Sequence, residues 1–440
     1  MPTEQLIHAR WVIPVEPADR VLEHHCLRLK GDLIAEILPS AEARIRYPQL
    51  PATELPTHTL IPGLVNAHTH AAMNLLRGIA DDLPLHTWLA EHIWPAEGRW
   101  LSAEFVRDGT RLAVAEMLRG GITCFSDMYF FPEIAAEVAL EAGIRAVLGL
   151  VVIDFPTPWA DGPDQALEKG LSLHAALHNH PLIGFTLAPH APYSVSDAPL
   201  MRIRVLADQL GLPIHMHIHE TAQEVAEALA NTGERPLARL DRLGLISPEL
   251  IAVHMTQLEA AEIDRLAETG VSVTHCPESN LKLASGFCPV ARLRKAGINV
   301  ALGTDGAASN NDLDLFGEMR TAALLAKGVA GDATAIPAAE ALRMATLGGA
   351  LALGMGERIG SLEVGKQADL VAVDLGLLET HQPVYHPVSH LVYAASRHQI
   401  SDVWVAGKRL LHGRVLTRMN ESALFDIAAK WQERLTEKPT

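Results

Sequence analysis

The sequence predicts an α/β protein: a (β/α)8 TIM-type barrel with a small β-sandwich domain built from both chain termini. Three observations lead there. From Leu60 onward, apolar strand-like runs alternate with longer helical patterns, as in βα units around a parallel sheet. Eight such runs can be counted, and ionisable residues close strand after strand, where barrel sites are built. Before Leu60 and after about Gly356 the pattern changes to short alternating runs separated by turn signals. The expected division is 1–59 for the first part of the sandwich and 60–356 for the barrel. Residues 357–440 then supply the rest of the sandwich and a terminal helix.

In chain order, Leu6–Pro14, Cys26–Lys30 and Leu33–Leu38 read as strands, with Lys30-Gly31-Asp32 as a hairpin turn. The eight barrel strands are expected near Ile61–Ala67, Ile122–Asp127, Arg145–Val152, Leu182–Pro189, Pro213–Ile218, Leu250–His254, Val271–His275 and Asn299–Thr304. Helical patterns lie between them, among them Glu104–Leu118, Ala198–Leu210, Glu259–Glu268 and Asp314–Ala326. Leu370–Val373, Leu391–Tyr393 and Val403–Val405 read as strands again, and Glu421–Glu433 as an amphipathic helix. The chain termini of a domain often lie close together, so the two flanks are expected to pair. A doubly wound open sheet would more often carry a Gly-rich phosphate turn after its first strand, and none is present.

Composition narrows the function. The 440 residues are 48% hydrophobic and 20% charged, a globular balance. A net charge of −16 disfavours nucleic acid and anionic membranes as partners. The four cysteines follow no pairing pattern, which suits reduced thiols in the cytoplasm. No basic-then-apolar leader and no membrane-spanning run stands out.

The chemistry starts at Leu60–His70, a run that ends in His68-Thr69-His70. Side chains two apart on a strand share a face, so these imidazoles are half of a transition-metal site. Taken alone the pair proves little, because the chain has 22 histidines and His-x-His recurs at His178/His180, His215/His217 and His217/His219. The other strand ends supply the company. Strand four ends at His190, strand five at Ile214–Thr221, strand six at His254, strand seven at His275 and strand eight at Asp305. By spacing, His215, His217 and His219 share one face, and nothing local chooses among them.

These pieces resemble the amidohydrolase superfamily: Pro62-Gly63-Leu64-Val65-Asn66-Ala67-His68-Thr69-His70, His217-x-x-Glu220-Thr221, His254, Gly303-Thr304-Asp305-Gly306, and the closing run Gly360–Leu370. Within it, Trp94-Pro95-x-Glu97, Pro189-His190-Ala191-Pro192-Tyr193 and His275-Cys276-Pro277-x-Ser279-Asn280 are similar to the deaminases of 5′-methylthioadenosine and S-adenosylhomocysteine. The resemblance implies that His68, His70, His217 and Asp305 hold one Zn²⁺ per chain, with Fe²⁺ as the alternative. Binuclear relatives bridge two metals through a lysine at the end of strand four. No lysine lies between Leu182 and Tyr193, so one metal is expected.

The reaction then assigns roles. Attack of an activated water at C6 of adenine needs a base, for which Asp305 is the candidate. Ring N1 must gain a proton, for which Glu220 is the candidate, and a confined site would keep its carboxyl protonated. His254 would hydrogen-bond the attacking oxygen. The resemblance makes Glu97 the acceptor for ribose hydroxyls and His190 a base or sugar contact, with Glu220 and Asp305 also touching substrate. The bland readings are a helix cap for Glu220, a core histidine for His254 and a solvated helix residue for Glu97. Trp88, Trp94 and Met73 could line an apolar wall or simply fill core. Ser309–Asp312 could shape the base pocket or cap the next helix. Two rivals stay open: a deaminase or chlorohydrolase of another heterocycle (guanine, 8-oxoguanine, a chlorotriazine), and a non-catalytic scaffold on the same barrel. Expected partners are a small-molecule nucleoside and further copies of the chain, as a dimer or tetramer.

Overall fold

The structure is a computed structural model that describes residues 4–378 and 382–436. Eight parallel strands form the central barrel: β5 (Leu64–Thr69), β6 (Ile122–Asp127), β7 (Arg145–Val152), β8 (Ile183–Pro189), β9 (Ile214–Ile218), β10 (Leu250–His254), β11 (Ser272–His275) and β12 (Val300–Leu302). They pair in sequence order, each with the next. Side chains help close the seam between β12 and β5. Asn66 Nδ2 donates to Thr304 Oγ1 at 2.8 Å, and the Thr304 N–H donates back to Asn66 Oδ1 at 3.0 Å. Gly303 is required at this seam, because a Cβ there would lie 2.9 Å from the His68 backbone.

Seven of the eight strands fall within two residues of their expected bounds. The first does not. Leu60-Ile61-Pro62 belongs to the terminal sheet, as the end of β4 (Ala52–Pro62), and the barrel begins only at Leu64. The chain turns between the two layers at Gly63, where a Cβ would sit 1.9 Å from the Thr123 hydroxyl oxygen. The division expected at 59/60 therefore falls inside a strand.

The second sheet joins β4 to β1 (Glu4–Val12), β2 (Leu22–Lys30), β3 (Leu33–Pro39), β13 (Leu370–Asp374), β14 (Ile400–Val405), β15 (Lys408–His412) and β16 (Val415–Leu416). Its order is β16-β15-β14-β13-β4-β1-β2-β3, so both termini contribute, with β4 and β13 at the join. The sheet curls so that two of its turns touch. The Gly407 turn touches the Gly31 turn, and Gln5 Nε2 donates to the Gly407 carbonyl at 3.1 Å. Between the faces lie Ile7, Leu27, Leu29, Leu60, Leu370 and Trp404, all fully buried. This apolar core holds the sheet together.

Leu391–Tyr393, expected as a strand, is the end of the helix Pro387–Tyr393. Pro387 starts it, since proline suits the first helical turn, and it packs on the barrel helices Leu315–Ala330 and Ala338–Arg343. The last helix, Glu421–Thr436, docks on Ala103–Arg119. Its buried Trp431 meets Phe105 edge-on and donates its indole N–H to Asp108 at 2.8 Å. Among the described residues, no helix is long and apolar enough to cross a membrane.

Candidate active site

The ends of β5, β9 and β10 and the loop after β12 converge at the mouth of the barrel. His68 is fully buried. Its Nε2 lies 3.1 Å from His217 Nε2 and 3.3 Å from Asp305 Oδ1, and His70 Nε2 lies 3.2 Å from the same oxygen. Two sets of potential ligand atoms lie within 4.8 Å of one another, His68/His70/Asp305 and His68/His217/His254. They overlap at His68. The four residues expected to hold a metal are thus brought together, and His254 stands beside them.

Hydrogen bonds fix which nitrogen each ring presents. His70 Nδ1 faces the Met128 carbonyl at 2.7 Å, and His217 Nδ1 faces the His190 carbonyl at 2.9 Å. A carbonyl only accepts, so both Nδ1 atoms carry the proton and both Nε2 lone pairs point inward. His68 Nδ1 instead meets His215 Nε2 at 3.1 Å, and His215 Nδ1 meets Ser126 Oγ at 3.2 Å. When Ser126 accepts from His215, His215 accepts from His68, and the His68 Nε2 lone pair also points inward. Two such lone pairs 3.1 Å apart repel unless a cation lies between them. Burial lowers the basicity of these rings, His68 to about 4 and His217 well below its ordinary value, which favours the neutral form that binds metals. Three imidazoles and a carboxylate suit a tetrahedral divalent metal.

Asp305 sits at φ +58, a left-handed conformation that aims its carboxylate into the cluster. Ser279 and Ser309 hydroxyls donate to its Oδ2 at 2.7 and 2.8 Å. Burial alone would raise this carboxyl; the facing His68 and His70 rings outweigh it and hold it well below its ordinary value. Glu220 is buried 3.8 Å from His254 Nε2. Its burial raises its pKa, with His254 opposing the rise and the Asp305 charge adding to it. The Glu220 N–H and the His219 N–H donate to Glu224 at 2.7 and 3.2 Å, which holds the turn that carries Glu220. His254 Nδ1 bonds to Asn280 Oδ1 at 2.9 Å.

Across the same cavity, the Tyr129 hydroxyl donates to Glu97 Oε1 at 2.6 Å, and the Tyr129 ring lies 6.3 Å from that of His70. Burial raises Glu97 to about 6. Glu97 reaches the pocket on the helix Trp94–Trp100, which follows a wider π-type turn, Trp88–Ile93, that brings Trp88 and Leu89 to the same wall. His190 lines the pocket with its Nδ1 on Ser194 Oγ at 2.8 Å. All the expected site residues, Glu97 and His190 included, therefore line one cavity or touch its floor.

The structure separates the three histidines of β9. The strand stops at Ile218 and His219 takes φ +53, so its ring turns out of the site and accepts from the Leu237 N–H at 3.3 Å. His215 faces inward beneath His68. His275 stays buried behind the site and outside both ligand sets. Ser309 lines the pocket and donates to Asp305, while the next helix, Leu315–Ala330, is capped by Asp314 and not by the Ser309–Asp312 run. Tyr129, Asn280, Ser126 and Glu224 escaped the sequence reading. Each acts through a partner far along the chain or around a turn, and only Asn280 lay in a quoted motif.

Comparison with known proteins agrees with this geometry. A 5-methylthioadenosine/S-adenosylhomocysteine deaminase of Teredinibacter turnerae is 51% identical over 432 residues, 98% of each chain. One of the same name from Saccharophagus degradans is 50% identical, covering 99% of this chain and 97% of that one. Among solved structures, an adenosine deaminase from Xanthomonas campestris with bound zinc superposes with a TM-score of 0.97 at 57% identity, over 99% of both chains. An atrazine chlorohydrolase from Arthrobacter aurescens shares the fold, with a TM-score of 0.89 at 23% identity, over 97% of this chain and 99% of that one. The amidohydrolase family pattern matches residues 59–410, the span that holds every residue of the cluster, and the chain belongs to that family.

Proposed function

We propose that the protein is a zinc-dependent hydrolytic deaminase of adenosine-type nucleosides. It would convert 5′-methylthioadenosine to 5′-methylthioinosine and S-adenosylhomocysteine to S-inosylhomocysteine, with adenosine and 5′-deoxyadenosine as further candidates. The observation that carries this reading is the pairing, in one cavity, of an inward-facing histidine–aspartate cluster with the Glu97–Tyr129 pair opposite it. The first suits hydrolysis at a ring carbon; the second suits a ribose. The names of the relatives support the same substrates.

In this reading His68, His70, His217 and Asp305 hold the ion, and a zinc ion bound there would supply a water of lowered pKa at neutral pH. Asp305 would take the proton that a water attacking C6 gives up. Glu220, whose carboxyl burial shifts toward the protonated form, gives a proton to ring N1 as negative charge builds there, and later helps pass a proton to the departing ammonia. His254, fixed by Asn280, hydrogen-bonds the attacking oxygen. Glu97 accepts from the ribose hydroxyls, with Tyr129 holding its carboxylate, and His190 contacts base or sugar. The barrel, from Leu64 to about residue 356, carries all of these groups, and the terminal sheet built from both flanks supports it. We further assign the enzyme to the cytoplasm, as a dimer or tetramer. Four buried free thiols support the compartment, and light scattering on the purified protein tests the assembly.

Ammonia release by zinc-loaded protein tests the reading. The panel is methylthioadenosine, S-adenosylhomocysteine, adenosine, adenine, guanine and a chlorotriazine. Turnover of the nucleosides, lost in Glu220→Gln, is expected. Turnover of guanine or the triazine alone would keep the mechanism and discard the ribose site. Zinc-loaded protein inert toward all six would discard the substrate class.

A further inference from the structure

The cavity has two halves of different chemistry. The inner half holds the ionisable groups already described, and the Glu97–Tyr129 pair marks its outer limit. A nucleoside with its base at the cluster and its ribose on Glu97 must send its 5′ substituent into the outer half. That half is walled by Trp88, Leu89, Trp94, Phe130, Ile153 and Phe155. Among the described residues that line the cavity there is no lysine and no arginine. Besides Tyr193 at the rim, the outer wall offers the Thr157 hydroxyl, which is engaged by its own loop. It accepts from the Trp159 and Ala160 N–H groups at 3.3 and 3.0 Å and donates to the Ala160 carbonyl at 3.2 Å.

The surface beyond is no better suited to an anion. Trp94, Phe155 and Tyr193, each at least 40% exposed, form a rim between the cavity and a second cleft. That cleft holds Arg239 and Arg242, and both are engaged. Arg239 bonds Asp197 at 2.7 Å and the Val195 carbonyl at 2.9 Å; Arg242 bonds Glu234 at 2.6 Å. Asp154, Glu224 and Glu227 line the same cleft. Four carboxylates (Asp154, Asp197, Glu227 and Glu234) face two guanidinium groups there, Glu224 being turned onto the Glu220 and His219 N–H groups, so a substrate carboxylate extended past the rim meets net negative charge.

We infer that the site prefers adenine nucleosides whose 5′ substituent is short, uncharged and apolar, such as an alkylthioether, over those ending in an α-amino acid. The inference rests on the proposed deaminase reading and adds the 5′ selectivity to it. The physical cause is desolvation. An aromatic wall repays burial of methyl and methylene groups, whereas a carboxylate that enters without a cation loses its hydration and gains no partner. The ammonium of an amino acid could approach the cleft carboxylates, but it brings its own carboxylate with it.

Steady-state kinetics on the zinc-loaded protein decide the matter, with 5′-methylthioadenosine, 5′-butylthioadenosine, adenosine and S-adenosylhomocysteine as substrates. The expected result is methylthio and butylthio nucleosides within tenfold of each other in kcat/KM, and S-adenosylhomocysteine at least tenfold below both. S-adenosylhomocysteine equal to or better than methylthioadenosine would overturn the inference and leave the deaminase reading standing. Failure of all four nucleosides would overturn both. The variant Phe155→Arg places a cation on the half-exposed rim. It is expected to raise the ratio of S-adenosylhomocysteine to methylthioadenosine kcat/KM about tenfold. An unchanged ratio would reject charge as the cause.

Discussion

Buried polar clusters sit at both ends of the barrel, and they differ in what they leave unsatisfied. At the lower end, Arg145 begins β7 and is fully buried. Its guanidinium bonds Asp369 at 3.0 and 3.1 Å and the Pro181 carbonyl at 2.7 Å, and it also meets Gln367. Asp369 in turn accepts from the Ala406 N–H at 2.7 Å. Every charge there has a partner, and the cluster clamps the terminal sheet to the barrel. At the upper end, His68, His70 and His217 turn lone pairs toward one another, and Glu220 has only a 3.8 Å approach to His254. His254 and Asp305 hold φ +74 and +58. Burial of charge is common to both ends. Of the two clusters, only the one at the mouth turns acceptor lone pairs on one another with no donor between them, and that marks the end built to bind something.

The sharpest way to break this contrast is at Glu220. Glu220→Gln keeps the shape and removes the proton, so kcat is expected to fall about a thousandfold while zinc content, read by metal analysis, stays at wild type. A variant that loses zinc as well would make Glu220 part of the metal site. At the other end, Arg145→Leu leaves the buried Asp369 carboxylate without its cation, with only the Ala406 N–H to meet it. It is expected to cost about 3–5 kcal/mol in urea unfolding and to leave kcat per folded molecule unchanged. A fall in kcat without a fall in stability would erase the distinction between the two ends.

His215 lies between these extremes, since it is satisfied itself and serves the site through His68. His215→Leu removes the acceptor at His68 Nδ1 and is expected to weaken zinc binding about 10–100-fold against a competing chelator. In His215→Gln an amide oxygen can take the same bond, and most of the affinity should return. Equal loss in both would assign the effect to packing. The smallest effect concerns Glu97. Its pKa is raised to about 6 by burial, and it accepts ribose hydroxyls most strongly, on both oxygens, when ionised. Nucleoside kcat/KM is therefore expected to be full above pH 7 and to decline about tenfold per unit below pH 6. Glu97→Ala should lower kcat/KM throughout and remove that limb. A limb that survives in the variant would belong to another group.

How much of this was legible beforehand follows from the range of each interaction. Strand periodicity and strand-end chemistry are local, so the barrel and the residues His68, His70, Glu220, His254 and Asp305 could be read in line. The break at Gly63 could not, because Thr123 is what forbids a side chain there. Spacing put His215, His217 and His219 on one face, and it failed at His219 because β9 ends one residue earlier and the backbone turns left-handed. Leu391–Tyr393 had a strand-like composition but lies in a helix started by Pro387 and packed on barrel helices.

The sequence by itself determined the order of strands and helices, the ligand types and the residues at each strand end, because those depend on neighbours along the chain. Tertiary structure alone decided which nitrogen each histidine presents, that His215 supports His68 while His219 turns away, and that Tyr129 holds Glu97. It also decided that no cation lines the outer half of the cavity among the described residues. The physical reason is shared: each is a contact between groups set by how the strands close into a barrel, and no local pattern encodes a distance across that ring.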